Sequence, residues 1–253
     1  MYLIDSHAHL NMLSSSIEEI LKRAEAHAVR KIIYIGSDDS LEVYDKLLAT
    51  ITQYPNIWGA VAFHPQDADK FQDLKLLEKY FLNPKVIAVG ECGLDFYKDY
   101  SDFQKQEKLF RCSIAVAKAL KKPLIIHSRE AGEKTLEILK AENAKEVGGV
   151  FHCFGESAEY AAQVADLGFK ISFTGVVTFK NAQRAQEVIK NVPLSQILVE
   201  TDCPYMAPEP FRGKECEPMH TYYTAKKIAE LKELSFDQAA EIFTQNTEQL
   251  FGI

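Results

Sequence analysis

The chain of 253 residues contains no run of about 18 apolar residues, the minimum that would indicate a membrane-spanning helix. Its first residues lack the basic start and apolar core of a secretory signal. The five cysteines are odd in number and include no C-x-x-C pair, which argues against a disulfide framework or a structural zinc knuckle. These absences predict a soluble, cytoplasmic protein with reduced thiols and no membrane association.

An excess of positive charge is also missing, because 36 Asp and Glu outnumber 29 Lys and Arg and give a formal net charge of −7. This balance disfavours a protein that coats nucleic acid electrostatically. It still permits an enzyme that binds a few phosphates in a pocket containing divalent ions, because those ions offset negative charge locally. The hydrophobic content of 47% is enough for a substantial core.

Short apolar runs alternate with longer amphipathic segments from one end of the chain to the other. The short runs predict about eight strands, at Tyr2–Ser6, Lys31–Gly36, Ile57–Phe63, Val86–Gly90, Pro123–His127, Gly149–His152, Lys170–Thr174 and Ile197–Glu200. The amphipathic segments predict helices at Ser16–Val29, Leu41–Tyr54, Phe71–Leu82, Phe103–Leu120, Ala131–Glu142, Ala158–Leu167, Ala182–Asn191, Tyr222–Leu231 and Ser235–Phe251.

Eight strand-then-helix units in a chain of this length are typical of an α/β protein with a (β/α)₈ TIM-like barrel. The alternative is a doubly wound open sheet. The first βα turn has no G-x-G-x-x-G motif, and polar residues end nearly every strand, which favours the barrel. Without a linker or repeat, residues 1–253 are predicted to form a single domain.

Side chains able to bind metals follow or end these predicted strands. They are His7, His9, His64, Glu91, His127, His152 and Asp202. Five of the seven histidines are in this set, whereas His27 and His220 are predicted to be surface residues. The carboxyl ends of barrel strands meet at one face, so we expect the set to converge there.

Imidazoles and carboxylates together are the ligands of zinc, manganese and related ions. The set is too large for one catalytic ion that keeps a position open for water, and it suits two ions bridged by a carboxylate. Glu91 is the natural bridge. Asp202 is the natural second ligand of the ion that His7 and His9 hold, and its other oxygen could accept a proton from water.

Three cysteines directly follow proposed ligands: Cys92, Cys153 and Cys203. Since alternate strand residues face opposite sides, we expect these thiols to be small buried fillers rather than ligands.

Six segments, in order and spanning nearly the whole chain, resemble the TatD family of metal-dependent deoxyribonucleases, a branch of the amidohydrolase-like barrels. The segments are Asp5-Ser6-His7-Ala8-His9, His64-Pro65, Gly90-Glu91-Cys92-Gly93-Leu94-Asp95-Phe96-Tyr97, His127-Ser128-Arg129, His152-Cys153-Phe154 and Glu200-Thr201-Asp202-Cys203-Pro204-Tyr205.

The resemblance implies a metal-dependent hydrolase with two divalent ions, of which Mg²⁺, Mn²⁺ and Zn²⁺ are the candidates. It assigns His7, His9 and Asp202 to one ion, His127 and His152 to the other, and Glu91 to both. It also implies hydrolysis of ester bonds, with DNA as the usual substrate and exonuclease-type trimming as a common mode. Some relatives act instead on D-aminoacyl transfer RNA. No obligate protein partner is evident.

Four further positions are candidate substrate contacts. They are His64, Tyr97, Arg129 and Arg212. Arg129 could reach a phosphate or form a salt bridge with Glu130 or Asp95. Tyr97 could stack on a base or only pack its loop, and His64 could contact a phosphate or orient a ligand. Asp5 is expected to lie too deep to bind metal.

The segment from Pro204 to His220 is rich in proline and carries Arg212 and Lys214. Long loops without regular structure are usually functional or packed on a site. Family members have an asparagine before the Glu-Pro pair, where this chain has Cys216. This departure concerns loop order or substrate preference, and it leaves the proposed metal ligands unchanged.

Three functions remain open at this point. The first is a two-metal nuclease, which is supported by cations near the expected mouth of the barrel: Lys98, Arg129, Lys180, Arg212 and Lys214. The second is a hydrolase of amides, lactones or small phosphoesters, which the negative net charge favours. The third is a non-catalytic binding barrel, which the intact ligand set disfavours.

Overall fold

Eight parallel strands alternate with helices in the computed structural model, which describes residues 1–36, 40–71 and 73–253. The strands are β1 Leu3–Ala8, β2 Val29–Gly36, β3 Ile57–Val61, β4 Val86–Asp95, β5 Leu124–Arg129, β6 Gly149–Phe151, β7 Phe169–Phe173 and β8 Ile197–Val199. Their order in the sheet follows their order in the chain. This sequential parallel order is the one that a (β/α)₈ barrel requires.

Helices follow the strands, as the amphipathic pattern predicts. In the described residues they are α1 Ile17–Ala26, α2 Leu41–Gln53, α3 Glu78–Phe81, α4 Phe103–Leu120, α5 Gly132–Ala141, α6 Ala158–Asp166, α7 Gln183–Asn191, α8 Thr221–Leu231 and α9 Phe236–Phe251. Ser16 and Ser235 each form a capping box at the start of a helix, with Glu19 and Gln238 as their partners. Within the described ranges, no helix combines the length and apolar character needed to cross a membrane.

The two predicted boundaries that differ most from the structure lie in the third helix and the fourth strand. The helix predicted over Phe71–Leu82 is helical only at Glu78–Phe81, after a 3₁₀ turn at Lys75–Leu77, and Gln72 lies outside the described residues. Strand β4 continues past Gly90 to Asp95, so Glu91 lies within the strand instead of after it. The predicted strand was too short because Glu91 and Asp95 are charged, although both are buried in β4.

The chain divides into two compact units. The first comprises Met1–Tyr34, Cys153–Ala165 and Lys170–Ile253, and the second comprises Ile35–His152 and Asp166–Phe169. The prediction of a single domain over residues 1–253 stays a prediction.

Each unit has strands in its core. In the first unit, Ile4 of β1 and Ile171 of β7 are at most 1% exposed, and a parallel bridge joins Ala8 to Cys203. In the second unit all ten residues of β4 are buried. A strand buried on both faces reads as a continuous apolar run, which is why the strands were visible in the sequence.

Gly93 in β4 supports a direct test of this packing. Its φ is +141°, and a Cβ atom at this position would lie 2.0 Å from the carbonyl oxygen of His127. We expect Gly93→Ala to lower the free energy of unfolding by about 2 kcal/mol, measured by urea denaturation. Gly155→Ala is the control, because a Cβ there meets no atom within 4 Å, and should change it by less than about 0.5 kcal/mol. Equal stability of both variants would contradict the described packing.

Candidate metal centre

The first cluster of candidate ligands forms where β1 ends in the first unit. His7 lies in β1 and His9 follows it directly. The backbone N–H of Asp202 donates to the carbonyl of His7 at 2.9 Å, and the N–H of His9 donates to the carbonyl of Cys203 at 3.0 Å. These two hydrogen bonds fix the segment after β8 against the end of β1, so residues almost two hundred positions apart become neighbours.

Three donor atoms converge in this first cluster. Nε2 of His7 and Nε2 of His9 are 3.3 Å apart, and Oδ1 of Asp202 lies 3.6 Å and 3.4 Å from them. Ligands about 2.1 Å from a tetrahedral zinc ion lie about 3.4 Å from one another. All three residues are at most 7% exposed. The spacing and the donor types therefore fit a divalent cation.

Asp202 adopts a backbone conformation that is uncommon for its residue type. Its φ is +56°, in the left-handed region that most side chains avoid. Such a conformation costs of order 1 kcal/mol or more and persists only where the surroundings impose it. Here it accompanies the contacts of the carboxylate with both imidazoles, as expected for a functional position.

Asp5 forms hydrogen bonds to the backbone next to this cluster. From the sequence, it is expected to lie too deep to bind metal itself. Its Oδ1 accepts from the N–H of Thr201 at 3.0 Å and from the N–H of His7 at 3.3 Å, and its Oδ2 accepts from Oγ1 of Thr201 at 2.6 Å. Complete burial raises the pKa of Asp5 to about 7, against the opposing hydrogen bonds of Thr201 and His7. Asp5 thus fixes the backbone on both sides of the cluster without facing it.

The second cluster forms in the second unit around Glu91. Oε1 of this carboxylate lies 2.8 Å from Nδ1 of His127 and 2.8 Å from Nε2 of His152, and those two nitrogens are 3.3 Å apart. Burial alone would raise the pKa of Glu91, but the imidazoles of His152, His64 and His127 hold it well below its usual range. An ionised carboxylate with two imidazoles is a second donor set that fits a divalent ion.

A buried carboxylate orients one ligand of this second cluster. Nε2 of His127 lies 3.3 Å from Oδ2 of Asp95, which also accepts from Nε2 of Gln66 at 2.8 Å. Burial would raise the pKa of Asp95, but the hydrogen bonds from His127 and Gln66 lower it to about 2. A carboxylate behind a histidine fixes the tautomer, and the Nδ1 lone pair is directed at the cluster.

His64 lies beside the second cluster with a defined tautomer. Its Nδ1 accepts a hydrogen bond from the N–H of Gln66 at 3.2 Å, so the proton of the neutral ring is on Nε2. That nitrogen lies 3.6 Å from Oε1 of Glu91. Burial lowers the pKa of His64, which keeps the ring neutral. A protonated Nε2 is a hydrogen-bond donor, so His64 is suited to a substrate oxygen or to Glu91 better than to a metal.

The remaining predicted substrate contacts are exposed. Cζ of Arg129 lies 3.8 Å from the centroid of the Tyr97 ring, and Cζ of Arg212 lies 4.6 Å from that of Phe179. Among the residues that the structure describes, Arg129 forms no salt bridge with Glu130 or Asp95, so that alternative is wrong. Asp95 is instead occupied by His127 and Gln66.

The prediction for the cysteines is correct for two of the three. Cys92 and Cys203 are fully buried, and burial raises the pKa of each thiol. The prediction is wrong for Cys153, which has a φ of +47° after the end of β6 and is only partly buried. Its Sγ lies 3.3 Å from Sδ of Met206. The chain leaves the strand before this residue, so strand alternation does not apply to it.

Two buried polar residues to which the sequence analysis assigned no role, Glu200 and Gln106, form hydrogen bonds at or near the ends of strands. Oε1 of Glu200 accepts from the N–H of Cys153 at 2.7 Å, and its Oε2 accepts from Oγ of Ser172 at 2.5 Å. Gln106 of α4 exchanges hydrogen bonds with the backbone of Asp95, at 2.9 Å and 3.1 Å. A charged residue at the end of an apolar strand was a usable signal for Glu200, whereas the sequence gives no comparable signal for Gln106.

The segment Pro204–His220 is tied to the first unit at several points. Nε and Nη2 of Arg23 pair with the carboxylate of Glu217 at 2.6 Å and 3.1 Å, and Oγ of Ser14 donates to Glu215 at 2.7 Å. The N–H of Cys216 donates to the carbonyl of Pro204 at 3.0 Å. The Cys216 thiol is fully buried. The loop is therefore anchored by a backbone hydrogen bond and by ionic contacts, although Cys216 stands where the resemblance expects asparagine.

The prediction of a surface position for His220 is wrong. The residue is 2% exposed, its Nδ1 accepts from the N–H of Glu217 at 2.9 Å, and its ring packs 4.6 Å from that of Phe211. Burial, together with repulsion from His27, lowers the pKa of His220 to about 4. A histidine in a loop is usually exposed. His220 is buried because its loop is anchored by the contacts described above.

Removing the carboxylate behind His127 tests its orienting role. We expect Asp95→Asn to weaken metal binding at the second cluster by about 10- to 100-fold, because the amide has no negative charge and only one acceptor oxygen. Asp95 uses one oxygen to accept from His127 and Gln66 and the other to accept from the N–H of Tyr97. Competition with a chromogenic chelator measures the affinity. Asp69→Asn, which changes an exposed carboxylate paired with Lys105, is the control and should stay within about twofold of the parent. Unchanged affinity in Asp95→Asn would refute the orienting role.

The buried His220 predicts a pH dependence of stability. Between about pH 4 and 6.5 the unfolded chain binds a proton at this residue that the folded chain does not, so stability falls as the pH is lowered through this window. From pH 7 to pH 5, the free energy of unfolding should fall by roughly 2 kcal/mol more in the parent than in His220→Gln. Urea denaturation in the presence of chelator measures both. Between pH 7 and 8 the difference should be constant, and parallel curves throughout would contradict the assignment.

Comparison with known proteins identifies relatives that are described as metal-dependent hydrolases. A family model described as "TatD related DNase" matches residues 4–252. The "Uncharacterized metal-dependent hydrolase YabD" of Bacillus subtilis (strain 168) is 43% identical over 99% of this chain and 99% of its own length. A relative with the same description, YcfH of Escherichia coli (strain K12), is 36% identical over 100% of this chain and 97% of its own length.

A solved structure is similar along almost the entire chain. The crystal structure of YjjV, a TatD homologue from Escherichia coli K12, has a TM-score of 0.92 and 32% sequence identity, and the match covers 99% of this chain and 98% of that one. This likeness confirms the predicted (β/α)₈ barrel. The chain belongs to the TatD family of metal-dependent hydrolases.

Proposed function

We propose that this protein is a deoxyribonuclease that binds two divalent metal ions and removes nucleotides from DNA ends by hydrolysis of phosphodiester bonds. The observation that carries the proposal is the pair of buried donor clusters, each formed by histidines and a carboxylate. The description of the matching family model, TatD related DNase, supports DNA as the substrate.

His7, His9 and Asp202 would hold one ion, and His127 and His152 with Glu91 would hold the other. The family resemblance further assigns Glu91 to both ions, and we retain this assignment within the proposal. Divalent ions in such a site lower the pKa of water to about 7 and neutralise the charge that develops on phosphoryl oxygens. Mg²⁺, Mn²⁺ and Zn²⁺ all suit imidazole and carboxylate ligands to different degrees.

The protein's own groups supply the remaining steps. Asp202 directs Oδ1 at His7 and His9, and its second carboxylate oxygen gives it the capacity to accept the proton of an attacking water. His64, whose Nε2 carries the ring proton, would donate a hydrogen bond to a phosphate oxygen. Arg129 and Arg212 present exposed guanidinium groups that suit a phosphate, and Tyr97 presents an exposed ring.

A second candidate is hydrolysis of another ester or amide at the same site, including D-aminoacyl transfer RNA or a small phosphoester or lactone. The net charge of −7 favours the amide or lactone within this candidate, because negative charge repels a polyanion such as DNA or transfer RNA and tolerates a small neutral substrate.

The experiment uses the purified full chain, stripped with chelator and reloaded with Mg²⁺, Mn²⁺ or Zn²⁺. The substrates are end-labelled single- and double-stranded DNA, a D-aminoacyl transfer RNA and a small chromogenic phosphodiester. We expect metal-dependent shortening of the labelled DNA and no activity in chelator. Intact DNA together with hydrolysis of another substrate would overturn the nuclease proposal in favour of the second candidate.

Two variants test the assigned residues in the same assay. We expect Glu91→Gln and Asp202→Asn each to lower kcat by at least about a hundredfold, because each change removes a charged donor from its cluster. Asp45→Asn is the matched control, since it removes an exposed carboxylate that pairs with Lys79, and it should stay within about twofold of the parent. Activity at the parental level in both cluster variants would refute the metal mechanism.

A further inference from the structure

Two sulfur atoms lie in contact in the first unit, outside both clusters of candidate metal ligands. Sγ of Cys153, in the turn that follows β6, lies 3.3 Å from Sδ of Met206. Oγ1 of Thr174 lies 4.0 Å from the first sulfur and 3.5 Å from the second. All three residues belong to the first unit. We call Cys153 and Met206 the sulfur pair, and the proposed hydrolysis uses neither residue.

Solvent reaches the sulfur pair, unlike most of the thiols of this chain. Met206 is 39% exposed, and Cys153 is partly buried. Three other cysteines are fully buried. The fifth, Cys112 of α4, is partly buried and has no sulfur contact among the described residues. Of the two accessible thiols, the one at Cys153 is therefore the one with a second sulfur beside it.

The backbone on both sides of the sulfur pair is fixed. The N–H of Cys153 donates to Oε1 of the fully buried Glu200 at 2.7 Å. The main chain at Met206 packs on the 3₁₀ turn Gly175–Thr178, where a Cβ at Gly175 would lie 2.4 Å from the carbonyl oxygen of Met206. The Met206 side chain has rotatable bonds along its whole length, so its sulfur can move to admit an ion while the main chain stays in place.

Sulfur ligands of this kind select soft metal ions. Thiolates and thioethers bind Cu(I) and similar ions, whereas carboxylates and water suit Mg²⁺ and Mn²⁺. The thiol of Cys153 would release its proton to solvent when the ion binds, and a thiolate with a monovalent cation carries no net charge. A neutral pair costs less to bury than an isolated ion. The sulfur pair therefore fits a soft monovalent cation better than it fits the divalent ions proposed for the two clusters.

We propose that Cys153 and Met206 bind a soft monovalent cation of the Cu(I) class. The thiolate of Cys153 and the thioether of Met206 are its two sulfur ligands. Met206 lies four residues after Asp202, and the N–H of Tyr205 donates to the carbonyl of Asp202 at 3.0 Å. A bound ion would therefore join the turn after β6 to the segment that begins at a candidate ligand of the first cluster. This inference does not depend on the proposed function, because it concerns other side chains and another class of ion.

The test measures binding of Cu(I) to the full-length, Mn²⁺-loaded protein under anaerobic conditions, in competition with bicinchoninate, a chromogenic Cu(I) chelator. We expect Cys153→Ser and Met206→Leu each to lower the affinity by at least about tenfold, because the loss of a residue that only orients a metal ligand already has an effect of this size. X-ray absorption at the copper edge should show sulfur neighbours in the parent. Excess Mn²⁺ should not displace the Cu(I), because manganese prefers oxygen ligands.

Cys112→Ser and Met12→Leu are the matched controls. Cys112 is the other accessible thiol, and Met12 is 38% exposed, close to the value for Met206. The sulfur of Met12 contacts the hydroxyl of Tyr205 at 3.9 Å and not a thiol. Both control variants should bind Cu(I) like the parent. Circular dichroism of every variant separates the loss of a ligand from the loss of the fold.

Three results would overturn the proposal. Parental affinity in Met206→Leu would mean that the two sulfurs share a hydrogen bond and not an ion. An equal loss of affinity in Cys112→Ser and Cys153→Ser would mean that Cu(I) binds accessible thiols in general. Nitrogen neighbours alone at the copper edge, or displacement by Mn²⁺, would place the ion at the histidines. Each of these results leaves the nuclease proposal intact, because that proposal is tested by hydrolysis of labelled DNA.

Discussion

The close approach of electron-rich atoms around Glu91 is the constraint on which the second cluster depends. One carboxylate oxygen lies 2.8 Å from two imidazole nitrogens that are themselves 3.3 Å apart. The same crowding recurs at His7, His9 and Asp202, where the donor atoms are 3.3 Å to 3.6 Å apart. Lone pairs that lie this close together in a buried site repel one another. A divalent cation stabilises them, because it can bind several of these donor atoms at once.

Each cluster has a neighbouring buried carboxylate that orients the candidate ligands but is not itself one of the converging donors. Asp5 binds the backbone of His7 and Thr201, and Asp95 binds His127 while it holds the loop that follows β4. Neighbouring elements thus impose one rotamer and one tautomer on the ligands. A polar network that is satisfied in this way is rigid, so the unfavourable burial of charge is confined to positions where the chemistry needs it.

Much of the fold and the donor set could be predicted from the sequence, because buried parallel strands read as apolar runs and their ends carry the histidines. The true length of β4 could not, since Glu91 and Asp95 in its last part are charged although buried. The buried His220 also escaped prediction, because the Arg23–Glu217 pair that anchors its loop joins residues far apart in sequence. The stacking of Arg129 on Tyr97 depends on neighbouring strands and is invisible in either segment alone.

The central claim is that two divalent ions occupy these two clusters. Anomalous diffraction from crystals grown with Mn²⁺ or Zn²⁺ tests it most directly. The account predicts two anomalous peaks for each chain, one contacted by His7, His9 and Asp202 and the other by Glu91, His127 and His152. A single peak, or peaks that lie away from these side chains while the crystals are saturated with the ion, would contradict it.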